Sequence, residues 1–249
     1  MVTCVQERYE PAIRPARRRF ATHPVLATCL SGDVDPAFLE LFLIHFSSLG
    51  VGLTQPVEDW LRRAARRCDQ VGLADLGRAL RGHAKQESGH HLMMIADTHA
   101  LVARWNAARR PRLDAERLLA RVPTPGGRMY RQLHEDTIAG DTPFVQIAVE
   151  YEIEMLPVQF GPPLLERCRA VLGSAITAGL SFLHEHITLD VAHTRFNEHQ
   201  LEKLLQSNPA YLEPLVRAGG AALAAYGTFL NDCLELTYAE FAEPAGADA

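Results

Sequence analysis

The chain has 249 residues, 47% of them hydrophobic and 22% charged, with a formal net charge of −5. That balance excludes an intrinsically disordered chain, and 17 glycines and five cysteines are too few for a collagen-like or disulfide-framework protein. An acidic chain also argues against nucleic acid as a partner, since a phosphate backbone calls for a basic face.

The pattern is helical almost throughout, without strand-like alternation or a repeat of fixed period. Residues 1–20 contain acidic groups and two prolines and lack the apolar stretch of a secretory signal. The spacing predicts a buried helix over 36–49, a break at Gly50-Val51-Gly52, and a restart at Pro56. A long helix follows over 72–107, ended by Arg110-Pro111, then a short helix near 114–121 and a loop at Pro123-Thr124-Pro125-Gly126. The next helix spans about 142–157, with a boundary at Gly161-Pro162-Pro163. Residues 164–205 are helical with a weak point at Gly173. Asn208-Pro209 is a break, and 210–242 form the last helix before a frayed tail. Seven to nine helices without a linker imply one all-α domain over 1–249, with its core at about 20–242.

The cysteines are Cys4, Cys29, Cys68, Cys168 and Cys233, spread out and without a Cys-x-x-Cys. They read as free thiols in a reducing compartment. No apolar run reaches the roughly 18 residues of a membrane span. A cytoplasmic protein with no membrane partner is expected.

The eleven histidines cluster, and that clustering carries the chemistry. In the stretch 83–97, Glu87 and His90 are three apart, on a stripe with His83, Met94 and Asp97. In the stretch 184–193, His186, Asp190 and His193 fall on one helical face. Between them, the apolar stretch 147–160 carries Glu150, Glu152 and Glu154. Glu154 has the best core-facing position, Glu150 also has a claim, and Glu152 is expected to face water. A buried carboxylate needs a counter-charge, and a carboxylate from this helix could bridge two cations. The donors Glu87, His90, Glu154, His186, Asp190 and His193 are three imidazoles and three carboxylates, a set suited to iron or manganese. Asp97 is placed to orient a ligand imidazole. The arginines 62, 63, 66 and 67 read as a solvated face.

These motifs resemble those of the heme-oxygenase-like di-iron oxidases. His186-x-x-x-Asp190-x-x-His193 is similar to that family's late-helix motif, Tyr151-x-x-Glu154 to its mid-chain Glu, and Glu87-Ser-Gly-His90 to its first ligand helix. The resemblance implies a heme-oxygenase-like bundle of about seven main helices, without heme. It also implies two Fe(II) ions, O2 as co-substrate, and oxidation of a small amino acid, amine or carboxylic acid in specialised metabolism. Some members use a further early-helix carboxylate, for which Glu58 is the nearest candidate and Glu40 a weaker one. A homodimer is compatible with such bundles. Two rival readings keep the helices: a metal-independent, thiaminase-II-like hydrolase using Cys29, Cys68 or Cys168, and a non-enzymatic metal-binding protein.

Overall fold

The computed structural model describes residues 2–242, and the expected frayed tail from residue 243 on lies outside them. The described chain is all-α. Its helices are α1 (Glu10–Ala21), α2 (Pro24–Leu30), α3 (Pro36–Thr54), α4 (Val57–Gln70), α5 (Ala74–Gln86) and α6 (His90–Ala108). They continue with α7 (Ala115–Leu119), α8 (Pro125–Ala139), α9 (Gln146–Leu172), α10 (Ser181–Ser207) and α11 (Leu212–Ala242). A π-helical turn, Val5–Tyr9, leads into α1, and short 3-10 turns precede α9, α10 and α11.

Helix α3 occupies the centre. It starts at Pro36, with Asp35 accepting from the Ala37 and Phe38 amides, and buries residues on every side against α6, α8 and α11. The expected break at Gly50 does not occur. A Cβ there would lie 2.5 Å from Met94 Cε, so this glycine serves the close crossing of α3 and α6 rather than a turn. The run Pro36–Gln70 contains a window apolar enough by composition to cross a membrane, and 72% of that window is buried inside the structure. Its apolar content is core.

Three other boundaries differ from the sequence expectation. The helix expected over 72–107 is two helices, because Gly89 adopts φ +87° between α5 and α6. Helix α9 continues through Pro157, Gly161, Pro162 and Pro163, packed along α10. Prolines remove backbone hydrogen bonds, but α9 is clamped by the core through Ile147, Leu156, Leu165 and Leu172. The loop expected around Gly126 is the first turn of α8, capped by Thr124. A Cβ on Gly126 would lie 2.2 Å from the Phe229 backbone nitrogen, so this glycine, too, marks a helix crossing.

The core begins well before residue 20. Val5, Tyr9 and Ile13 are fully buried, and the Glu202 carboxylate accepts from the Cys4 and Val5 amides. Glu152, expected to face water, is 1% exposed. It is held by two Arg17 nitrogens, each at 2.8 Å, and by the Tyr9 hydroxyl at 3.0 Å. This pairing ties the N-terminal segment to α9. Arg17→Leu leaves Glu152 buried without its cation, which costs about 3 kcal/mol. Urea unfolding is expected to show the midpoint falling accordingly, whereas Arg78→Leu on the exposed face leaves it in place.

Candidate metal centre

The centre is built at the meeting of α5, α6, α9 and α10. Helix α5 turns Leu76, Leu80, His83 and Ala84 inward and ends at Glu87. The turn Glu87-Ser88-Gly89 then restarts the chain as α6 with His90 as its first residue. Glu87 and His90 therefore meet across a helix break rather than along one face. Helix α9 delivers Glu150 and Glu154 from its buried side. Helix α10 turns a wholly polar stripe inward, His186, Asp190, His193 and Asn197, before it becomes apolar at Leu201 and Leu204.

Two groups of donor atoms result, each with its atoms within 4.8 Å of one another. One contains His83, Glu87, Glu154 and His193; the other contains Glu87, His90 and His186. Glu87 belongs to both. Its Oε1 lies 3.3 Å from His193 Nδ1 and 3.5 Å from His83 Nε2, while its Oε2 lies 2.9 Å from His90 Nδ1. Across the second group, His186 Nε2 is 3.1 Å from His90 Nδ1. Asp190 Oδ1 stands 3.3 Å from His193 Nδ1.

Several of these atoms stand at ion-pair distance from one another. His83 Nε2 and Glu154 Oε1 are 2.7 Å apart. Yet these two atoms, together with Glu87 Oε1, Asp190 Oδ1 and His193 Nδ1, are buried and lack an aligned hydrogen-bond partner. Buried polar atoms are nearly always satisfied. Atoms that converge on a shared point, instead of pointing at each other, fit a cation between them.

The surroundings orient the donors. His186 Nδ1 donates to the Phe182 carbonyl at 2.8 Å, which leaves Nε2 as the free lone pair. Asp97 does not reach a ligand imidazole as expected. Its carboxylate accepts from Ser181 N and Oγ, each at 2.8 Å, and from Phe182 N at 2.9 Å. It thereby caps α10 one turn before His186. Asn197 donates to Glu154, and Gln146 donates to Glu150 at 2.6 Å.

Burial disfavours charge on every group here, and the neighbours decide the outcome. Burial alone would lower His83, but Glu154 and Glu87 raise it to about 11. His193 rises in the same way through Asp190, Glu154 and Glu87. Glu150 is pushed up to about 8 by burial and by Glu154. Without metal, the centre therefore stores protons on His83 and His193, while burial lowers His186.

All six expected donors converge: Glu87, His90, Glu154, His186 and His193 within the two groups, and Asp190 beside His193. The two further candidates do not join them. Glu150 lies outside both groups and is bound to Gln146, which also meets His134 Nδ1 at 2.8 Å. Glu58 is one-third exposed and pairs with Arg62 at 2.6 Å. Glu40 is bound by Arg104 and Arg109. In place of an early-helix carboxylate stands His83, absent from the expected donor set. Its signal was in the sequence: His83-x-x-x-Glu87-x-x-His90 has the spacing of His186-x-x-x-Asp190-x-x-His193.

No protein-family model matches the chain, and no curated protein matches it. Solved structures do. A domain of unknown function from Shewanella denitrificans, described as having a heme oxygenase-like fold, superposes with a TM-score of 0.69 at 15% identity, covering 96% of each chain. A TenA homolog from Pseudomonas syringae superposes with a TM-score of 0.71 at 15% identity, covering 94% of each chain. The chain thus has the heme-oxygenase-like all-α fold, with a His- and carboxylate-lined centre that could hold metal.

Because ligands must lose their protons to bind a cation, adding metal to the protein in weak buffer is expected to release protons. Apparent affinity is expected to rise with pH, since the raised His83 and His193 shed their protons more readily. His83→Ala is expected to weaken binding at least tenfold in the same titration, while Glu58→Gln leaves it unchanged.

Proposed function

We propose that the chain is a non-heme di-iron oxygenase or oxidase that uses O2 to oxidise a small organic molecule. The observation that carries this reading is Glu87, whose two oxygens face two separate groups of donors. A single zinc ion would take four donors and leave His90 and His186 without a role. Imidazole and carboxylate donors without a thiolate suit iron or manganese. Three carboxylates, Glu87, Glu154 and Asp190, offset most of the charge of two divalent cations.

In this reading His83, Glu154, His193 and Glu87 would hold one cation, with Asp190 beside them, and His90, His186 and Glu87 would hold the other. Two Fe(II) ions bound there would supply the electrons that reduce O2 and the oxidising power applied to the substrate. The protein's part is to place and to hold. Phe182 fixes the His186 ring, Asn197 fixes Glu154, and Gln146 holds the Glu150 carboxyl beside the centre. The five cysteines are free thiols, in keeping with a reducing, cytoplasmic setting.

The cysteine-hydrolase reading finds less support. Cys29 lines an apolar cavity beside His186, but burial and Cys168 push its thiol up to about 12. A nucleophilic cysteine needs the opposite shift. Cys68 and Cys168 are also raised to about 12 by burial.

Anaerobic loading with Fe(II) followed by mixing with O2 tests the proposal. Wild type is expected to bind about two irons per chain, as a two-metal centre requires, and to consume O2. His186→Ala and Asp190→Asn are expected to lower the O2-consumption rate by about 100-fold, the scale set by losing a ligand or its partner. O2 consumption that is unchanged in both variants contradicts it.

A further inference from the structure

A mostly apolar cavity, partly open to solvent, lies among α1, α2, α3, α6, α9, α10 and α11. It ends against the ring of His186, whose far nitrogen turns toward His90. Small-molecule sites are concave and lined mainly by apolar and aromatic side chains, as this one is. Six aromatic rings line it: Phe20, Phe42, Phe46, Phe160, Phe182 and Tyr226. Phe182 stacks on His186 itself, with ring centroids 3.9 Å apart.

The polar inventory of the wall is short. Among the described residues no lysine or arginine lines the cavity, and the one carboxylate that does, Asp97, already accepts from three donors at the start of α10. Ser47 and Tyr226 add neutral hydroxyls. A carboxylate lying in this space would meet no cation, and an ammonium group would meet only an acid that is already engaged. Either would lose its hydration without replacement. An uncharged hydrocarbon surface loses nothing and gains contact with the aromatic walls.

We infer that the substrate carries an uncharged alkyl or aryl body that fills this cavity, with the carbon to be oxidised at the His186 end. Polar amino acids and polyamines are then not the substrates. This narrows the expectation drawn from the sequence, and it rests on the di-iron reading for the word substrate, though not for the binding itself.

The test is binding to the full chain by calorimetry, with and without Fe(II) under argon, using n-octanol, 4-ethylphenol, L-leucine and L-lysine as probes. Octanol and 4-ethylphenol are expected to bind at least tenfold more tightly than either amino acid, with or without iron. Cys29→Phe, which places a ring inside the cavity, is expected to weaken both apolar probes at least tenfold. Leu26→Trp fills the same space from a half-buried position and serves if Cys29→Phe does not fold. Iron content measured on the same variants is expected to match wild type, so loss of the cavity and loss of the metal centre are read separately. Lysine or leucine binding as tightly as octanol overturns the inference, as do apolar probes that bind both folded variants unchanged.

Discussion

Burying charge governs this structure. Seven titratable donors, three of them carboxylates, meet in the interior of an apolar bundle, and such groups are expensive to remove from water unless they are compensated. Here they compensate one another. His83 and His193 rise because acids surround them, and Glu150 and Glu154 are pushed up because burial outweighs their partners. Two divalent cations would replace the stored protons with fixed positive charge. A fold that only needed stability would have filled this space with apolar side chains, which often hold a core at least as well as buried ions do.

The rest of the bundle is arranged so that these donors cannot drift. The left-handed Gly89 ends α5 at Glu87 and starts α6 at His90, which brings the Glu87 carboxylate and the His90 imidazole together across one turn. Asp97 reaches from α6 to cap α10, and the same turn offers the Phe182 carbonyl that sets the His186 ring. Glu152, on the other side of α9 from the centre's acids, is neutralised by Arg17 and Tyr9 of the N-terminal helix. Glycines at 50 and 126 let helices cross where a side chain would collide. Of the seven donors, His186 is the one that also lines the apolar cavity.

Helix content and the inward stripe of α10 were legible because helical spacing converts sequence offsets into faces, whereas Glu87 and His90 meet across a break. The pattern at 186, 190 and 193 needed no more than that. What escaped the sequence was set by tertiary contact. Gly50, Gly126 and Gly161 resemble breaks when read locally, yet each lies inside a helix where a neighbouring helix passes close. Gly89 is an actual break, hidden in a run that reads as continuous. Glu152 follows the same alternation as its neighbours, and only the distant Arg17 explains its burial. His83 was placed on the right stripe but not among the donors, because its partner Glu154 lies on another helix. The lining of the cavity comes from seven helices and has no signal in any one stretch.

The central claim is that two cations lie on either side of Glu87. The most direct measurement is anomalous diffraction at the iron edge from crystals grown anaerobically with Fe(II). Two peaks about 3.5–4 Å apart, the usual spacing of paired metal sites, are predicted, with Glu87 between them, His83 and His193 at one and His90 and His186 at the other. A single peak bound by four donors, or iron found only on the surface, would contradict the account.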